Sequence, residues 1–273
     1  IFVVAPIIIM VVYAFSTAAG DFTLENFARM GTYTAVFTRS FKLAIIATLI
    51  ALLIGYPVSY MLSKEGPQVQ RIAMVLIMLP MWMNFLLRTY SWMSILENNG
   101  LLNQLFQQIG LIDLYNQIAM HFASDPAAYV PIDHFQMIGT QGAVVLGMVY
   151  NYLPFMILPI YSVIVKLDHR LIEAARDLGC NSFGVLRRVI WPLSLPGVIS
   201  GITMVLIPSV STFYISQKLG DGKIMLIGDV IEGQYVANNL HFAAAIAFVL
   251  MILLLVCMAV MRKLAGRRVE GGL

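Results

Sequence analysis

The chain of 273 residues is 60% hydrophobic and only 11% charged, less than half the roughly 25% of a soluble globular chain, which excludes a protein with water as its only solvent. Lys and Arg exceed Asp and Glu by a formal net charge of +3. Two distant cysteines, Cys180 and Cys257, and four scattered histidines exclude a disulfide framework and a metal site, since ligand sets come as closely spaced clusters.

The sequence begins at Ile1 and not at Met, so residues are expected to be missing before it. The apolar stretch 1–16 has no basic leader before it and no small-residue cleavage site after it, and reads as the remainder of a first membrane helix. Five further apolar blocks, 41–63, 71–96, 142–164, 194–216 and 240–262, approach the length of about 20 residues that a helix needs to cross a bilayer. Lys42 is the one charge in the second block, and the sixth has none. Pro57, Pro80, Pro154, Pro159, Pro196 and Pro208 lie inside blocks, where each removes a backbone hydrogen bond and favours a kink. The expectation is one all-α transmembrane domain over 1–273 with six spans.

Between the third and fourth blocks runs a long loop, about 97–141. Asn98-Asn99-Gly100 makes a turn. Leu101, Leu102, Leu105, Phe106 and Ile109 then recur at helical spacing and predict a short amphipathic helix ended by Gly110. The stretch from Ser124 to Thr140, with Pro126 and Pro131, reads as irregular.

Basic residues assign the sides. Lys64, Arg71, Lys166, Arg170, Arg176, Arg187, Arg188 and the tail residues Arg262, Lys263, Arg267 and Arg268 fall on one side, which is expected to be cytoplasmic, as are both termini. Arg29, Arg39, Lys42, Lys218 and Lys223 fall on the other, together with nine of the fourteen acids. An acidic outer mouth would steer cations inward, although the ordinary cytoplasmic bias of basic residues accounts for much of the asymmetry.

The inner loop 165–193 carries most of the functional argument. Asp168 is placed to cap a helix from His169, and Gly179 to end it in a left-handed turn. Leu171, Ala174, Ala175 and Leu178 share a face. Ser182 is placed to cap a second short helix, closed by Trp191-Pro192. The product is a helical hairpin just inside the membrane. Arg187 and Arg188 would suit anionic headgroups, but an interfacial role leaves the small pair Ala174-Ala175 beside Glu173 unexplained. Small residues admit another surface closely.

Glu173-Ala174-Ala175, Gly179 four residues on, then Ile190 and Leu195-Pro196 resemble the EAA signature of ABC-importer permeases. Further stretches resemble the spermidine/putrescine permeases among them. These are Thr23 to Phe27, Gly55-Tyr56-Pro57, Leu101-Leu102-Asn103, Tyr152 to Met156, and Lys166-Leu167-Asp168 leading into Glu173 to Gly179. The outer segment from about Leu114 to Gln141 departs from that pattern by its length. The resemblance implies a type I importer permease that pairs with a second, different permease, two ATPase subunits and an extracytoplasmic binding protein. It implies that Glu173, Ala174, Ala175, Arg176, Asp177 and Gly179 couple to the ATPase. ATP and Mg would be bound by that partner; the chain has no phosphate-binding G-x-x-x-x-G-K-[ST] of its own. Neither a catalytic residue nor a nucleic-acid partner is expected. The expected setting is the bacterial inner membrane, with the lipid bilayer as solvent.

A polyamine is a polycation with methylene spacers, suited to carboxylates and aromatic walls. The pathway candidates are therefore Asn84, Tyr90, Trp92, Glu97, Tyr150, Asn151, Tyr152, Tyr214, Asp229 and Glu232. Interfacial belts and helix bridging are the plainer roles for the aromatic residues and the asparagines. Arg88 would repel a polycation, and is expected to pair with Glu97 or to cap carbonyls. A permease for ferric ion, thiosulfate or an opine is the alternative within the class. A stand-alone secondary transporter would show repeated halves or mid-span carboxylates, and a membrane enzyme a nucleophile–base set; the sequence has none of these.

Overall fold

In the computed structural model the chain is helical nearly throughout; the structure describes residues 2, 4–17, 19–122 and 130–270, with the backbone alone for His169 and residues 264–270. Helix α1 (Val4–Ala14) leads through an antiparallel bridge between Ser16 and Phe22 to α2 (Glu25–Ala28), a 3-10 turn (Arg29–Tyr33) and α3 (Thr34–Ser63). Then come α4 (Pro67–Trp82), α5 (Phe85–Leu96), α6 (Leu101–Gln108), α7 (Leu111–Phe122) and α8 (Gln141–Ile164). The hairpin helices α9 (His169–Asp177) and α10 (Ser182–Val185) precede a π turn (Leu186–Ile190) and α11 (Trp191–Ser211). Helices α12 (Tyr214–Leu219), α13 (Ile227–Val236) and α14 (Leu240–Glu270) complete the order.

The centre is a three-helix contact of α3, α8 and α11. On α3 the buried residues Ser40, Leu43, Ala44, Ala47, Thr48, Ala51, Gly55, Ser59 and Leu62 recur every three or four positions, so one stripe faces inward. The opposite stripe, with Leu49 58% and Leu53 75% exposed, is apolar and bare, as lipid requires. Small residues let the backbones approach. Met156 of α8 is fully buried where Gly55 and Gly201 meet it, and a Cβ on Gly197 would lie 2.7 Å from the Pro159 carbonyl. Hydroxyls tie the trio. Ser59 Oγ donates to the Ile157 carbonyl at 3.1 Å, and the Tyr56 and Ser194 hydroxyls meet at 2.9 Å. Helix α1 lies along α14, with Phe15, Phe27 and Phe248 clustered between them.

Six spans were expected, and the described residues give a different count. Four helical stretches, Glu25–Ser63, Gln141–Ile164, Ser182–Ser211 and Leu240–Lys263, are long and apolar enough to cross a bilayer. The block 71–96 is not one rod but two helices, bent by 91° where Met83 and Asn84 interrupt them, so it makes a fifth crossing only if the bent pair counts as one. Pro80 removes one bond of the ladder, and Asn84 then caps α5 by accepting from the Leu86 amide at 2.8 Å, which makes the break stable. Val4–Ala14 is apolar but short.

The block 194–216 also shifts. Its helix begins at Ser182 and runs through Pro192 without stopping, because the widened π turn before Trp191 relieves the ring–carbonyl clash that a proline imposes. It ends at Ser211; Thr212 is extended, and Tyr214 starts a separate helix. The long loop 97–141 contains the expected α6, with Gly110 left-handed at φ 71°, and an additional amphipathic helix, α7. Residues 130–140 have neither helix nor strand, and Ser124, Asp125 and Pro126 lie outside the described residues.

Candidate coupling hairpin and outer cavity

The loop 165–193 folds as a hairpin held by local rules. The Asp168 carboxylate accepts from the Arg170 amide at 2.9 Å. Gly179 is left-handed at φ 82°, its amide donates to the Arg176 carbonyl at 2.8 Å, and the Cys180 amide donates to the Ala175 carbonyl at 3.0 Å. This paired closure satisfies the orphan carbonyls of α9. The second helix is capped by Asn181, which accepts from the Gly184 amide at 2.8 Å, and not by Ser182; the amide oxygen of Asn181 already reaches the first free donor.

The hairpin is fixed to the membrane helices. Ala175, Val185 and Ile190 join Ile160 and Ile164 of α8 in one buried cluster, with Leu167, Ile172, Cys180 and Val189 packed around it. Of the small pair, Ala175 therefore turns inward and Ala174 outward. Glu173, Ala174, Arg176, Asp177 and Gly179 are exposed, beside bare Leu171, Leu178 and Phe183. An apolar and charged ridge thus projects from a rigid base. Behind it a cavity of 320 Å³ is lined by Tyr60, Lys64, Glu173 and Arg176, where the Lys64 ammonium stands 3.9 Å over the Tyr60 ring.

At the opposite end, helix breaks bring several of the pathway candidates together. Tyr90 and Tyr214 meet edge to face at 6.2 Å, and Trp92 meets Tyr150 at 5.3 Å. Phe85 lies 6.0 Å from Tyr214. Glu97 ends α5 and lines an open cavity of 380 Å³ with Asn98, Asn99, Lys218 and Asp221. Sequence reasoning left Lys218 and Asp221 out of the candidate set. The run Lys218-Leu219-Gly220-Asp221-Gly222 held the signal, a cation at a helix end followed by a tight turn, with Asp221 and Gly222 both left-handed.

Other candidates are engaged elsewhere. Asp229 accepts from the Leu226 amide at 2.7 Å and from the Ser216 hydroxyl at 3.0 Å, while Glu232 accepts from Gln217. Both acids hold α13 to α12. Burial pushes the Asp229 carboxyl up to about 6, with Glu232 adding to the rise and the two hydrogen bonds opposing it. Asn84 is the cap already described. Asn151 donates to the Gly147 carbonyl of its own helix at 2.9 Å, and its oxygen has no partner. The Tyr152 hydroxyl is directed at the Pro208 carbonyl at 3.5 Å. Arg88 does not form the expected pair: it is buried, its Nε and Nη1 have no hydrogen-bond partner, and its guanidinium lies 5.8 Å from the Phe85 ring.

Comparison with known proteins places the chain in a family. The family described as "Binding-protein-dependent transport system inner membrane component" matches residues 51–271. The spermidine/putrescine transport system permease protein PotB of Haemophilus influenzae is 37% identical over 98% of this chain and 92% of its own length. PotB of Escherichia coli is 37% identical over 85% of this chain and 79% of its own. Among solved structures, a bacterial ABC transporter that imports the polysaccharide alginate has a similar chain. It matches at a TM-score of 0.71 and 16% identity, covering 98% of this chain and 90% of that one, a likeness of fold. The chain therefore belongs to the inner membrane components of binding-protein-dependent transport systems and, among them, to the PotB-type permeases.

Proposed function

We propose that the chain is the membrane-spanning subunit of an ATP-driven importer of polyamines such as spermidine or putrescine, coupled to a separate ATPase through the α9–α10 hairpin. The observation that carries this reading is the exposed ridge of Glu173, Ala174, Arg176 and Asp177 on a base buried into α8 and α11. A lever needs both properties, a free face to be gripped and a rigid attachment to what it moves.

The remaining parts are read as follows. A second, different permease lines the other half of the pathway, two ATPase subunits bind ATP and Mg on the cytoplasmic side, and an extracytoplasmic binding protein delivers substrate. Both termini face the cytoplasm. Force on the hairpin tilts α8 with α11, which pack along one another, and reaches α12 and α5 at the far end, where Tyr90, Tyr214 and Glu97 lie. ATP then biases the permease pair toward the state it favours, by differential affinity. Similarity to PotB supports a polyamine, and the carboxylates of Glu97 and Asp221 with the aromatic pairs suit its ammonium groups and methylene stems.

The test uses the assembled complex in proteoliposomes. Polyamine-stimulated ATP hydrolysis should fall about tenfold in Glu173→Ala and Gly179→Val, within the usual span of coupling energies between linked sites, while the subunits still associate. Wild-type coupled hydrolysis in both variants would remove the hairpin from the mechanism. Stimulation by an anion, with none by spermidine or putrescine, would remove the substrate assignment.

A further inference from the structure

Lys218 is half-buried and stands against two aromatic rings. It lies in the last turn of α12, four residues after Tyr214, so the two side chains share a face. The neighbouring face of α12 is anchored: Ile215 and Leu219 are fully buried, and a Cβ on Gly147 of α8 would lie 2.5 Å from Leu219. The Leu219 carbonyl also accepts from the Gly139 amide at 2.8 Å. The presenting face is therefore held in place. On it, the Lys218 ammonium stands 5.4 Å from the centre of the Tyr90 ring and 5.7 Å from that of Tyr214, within the range in which a ring face attracts a cation. The rings themselves are set edge to face at 84°, two walls of a corner with the ammonium between them. The same lysine borders the outer cavity that holds Glu97 and Asp221.

A lysine side chain is four methylenes ending in an ammonium, an aminobutyl group. Putrescine is two ammonium groups on four methylenes, and spermidine carries the same aminobutyl unit at one end. We propose that Tyr90 and Tyr214 form a subsite for a primary alkylammonium, and that Lys218 occupies it as a tethered stand-in until a polyamine displaces it. The identity of the displacing ligand rests on the polyamine reading above; the corner and its occupant do not. A cationic occupant keeps the subsite closed to sodium and potassium leakage and makes entry competitive. A ligand with two ammonium groups can bind the rings with one end and Glu97 or Asp221 with the other, an advantage that a single monovalent ion lacks.

Two measurements on the assembled complex test this. The first is acylation of Lys218 relative to Lys223 by an amine-selective reagent, read by peptide mass spectrometry, where the ratio corrects for reagent consumed by added amine. Addition of 1,4-diaminobutane should raise the ratio as Lys218 is released, and Tyr90→Leu should give the raised ratio without ligand. The second is uptake. Lys218→Met, which keeps length and loses the charge, should lower the half-saturating putrescine concentration about two- to fivefold, the scale of an exposed cation–ring contact, while Lys218→Arg should leave it unchanged. A ratio unmoved by 1,4-diaminobutane overturns the proposal whether or not the variants assemble, as does an unchanged half-saturation in Lys218→Met. A complex that takes up no polyamine but still releases Lys218 keeps the subsite and defeats the transport reading instead.

Discussion

At Gly228 the first turn of α13 lies against the end of α11, and a Cβ there would be 2.5 Å from the Thr212 carbonyl oxygen and 2.6 Å from that of Ser211. Both are backbone atoms and cannot swing away. The contact seats α13 on the break that separates α11 from α12, and Ser40 of α3 fixes it further by accepting from the Ile227 amide at 2.8 Å. Gly228→Ala should therefore destabilise the folded subunit by about 1–3 kcal/mol, the ordinary cost of overpacking. Gly233 is the matched control: it lies on the same helix with nothing within 4 Å of its Cβ position. Gly233→Ala should be neutral or gain up to about 1 kcal/mol through helix propensity. Thermal melts in detergent decide it, and equal melting of the two variants would mean that the α11–α13 seat gives way. Neither role is readable from the sequence, where both are glycines in a mixed stretch. Gly179 differs, because a glycine after a capped helix of regular pattern announces its left-handed turn.

Helices α12 and α13 form a clasp whose fastening is a half-buried acid. Asp229 holds Ser216 of α12, and its carboxyl lies near 6 against an ordinary 3.8, with burial the main cause. The folded state thus prefers the neutral acid. That contribution is complete below the unfolded value and is lost as pH rises through about 6. The clasp should be tighter at pH 5 than at pH 7.5, seen as higher amide protection factors, with exchange normalised to the intrinsic rate at each pH, across Tyr214–Leu219 and Ile227–Val236, and Asp229→Asn should flatten the difference. Lower protection factors at the lower pH in the wild type would reverse the assignment. How far such elements could be read in advance follows from range. The α9 turn was legible, because Asp168 and Gly179 act within one helix. So was α6, from the spacing of its leucines. The break at Asn84 was not. A polar residue in an apolar block reads equally as a pathway lining or as a cap, and only the path of the chain after Met83 separates them. Trp191-Pro192 misled in the other direction, since a proline normally stops a helix and the compensating π turn has no sequence mark. Helix α7 carries helical spacing at Leu111, Leu114, Tyr115 and Ile118, a signal that lies outside the predicted elements.

Across the whole molecule, charge and shape divide between two ends of the α3–α8–α11 centre. The hairpin with Arg170, Arg176, Arg187 and Arg188 adjoins the last turn of α8 and the first of α11, near Lys64 at the end of α3. Glu97, Asp221, Asp229 and Glu232 belong to elements joined to the first turns of α8 and the last of α11. Between the ends, bare apolar side chains such as Leu49, Leu53, Leu76 and Val256 give the surface that lipid would cover. Basic loops are retained on the cytoplasmic side because translocating them is unfavourable, so the hairpin end should face inward and the cavity end outward. The natural cysteines, Cys180 and Cys257, are both half-buried and are best replaced by Ser. In that background, single reporters belong at exposed turns: Asn98→Cys at the cavity end and Glu65→Cys between α3 and α4. A membrane-impermeant maleimide should label Asn98→Cys in intact cells and Glu65→Cys only after permeabilisation. The reverse pattern would turn the molecule over, leaving the ridge of Glu173 to Asp177 outside the cell, where no ATP-consuming partner could grip it, and the coupling role would fall with the orientation.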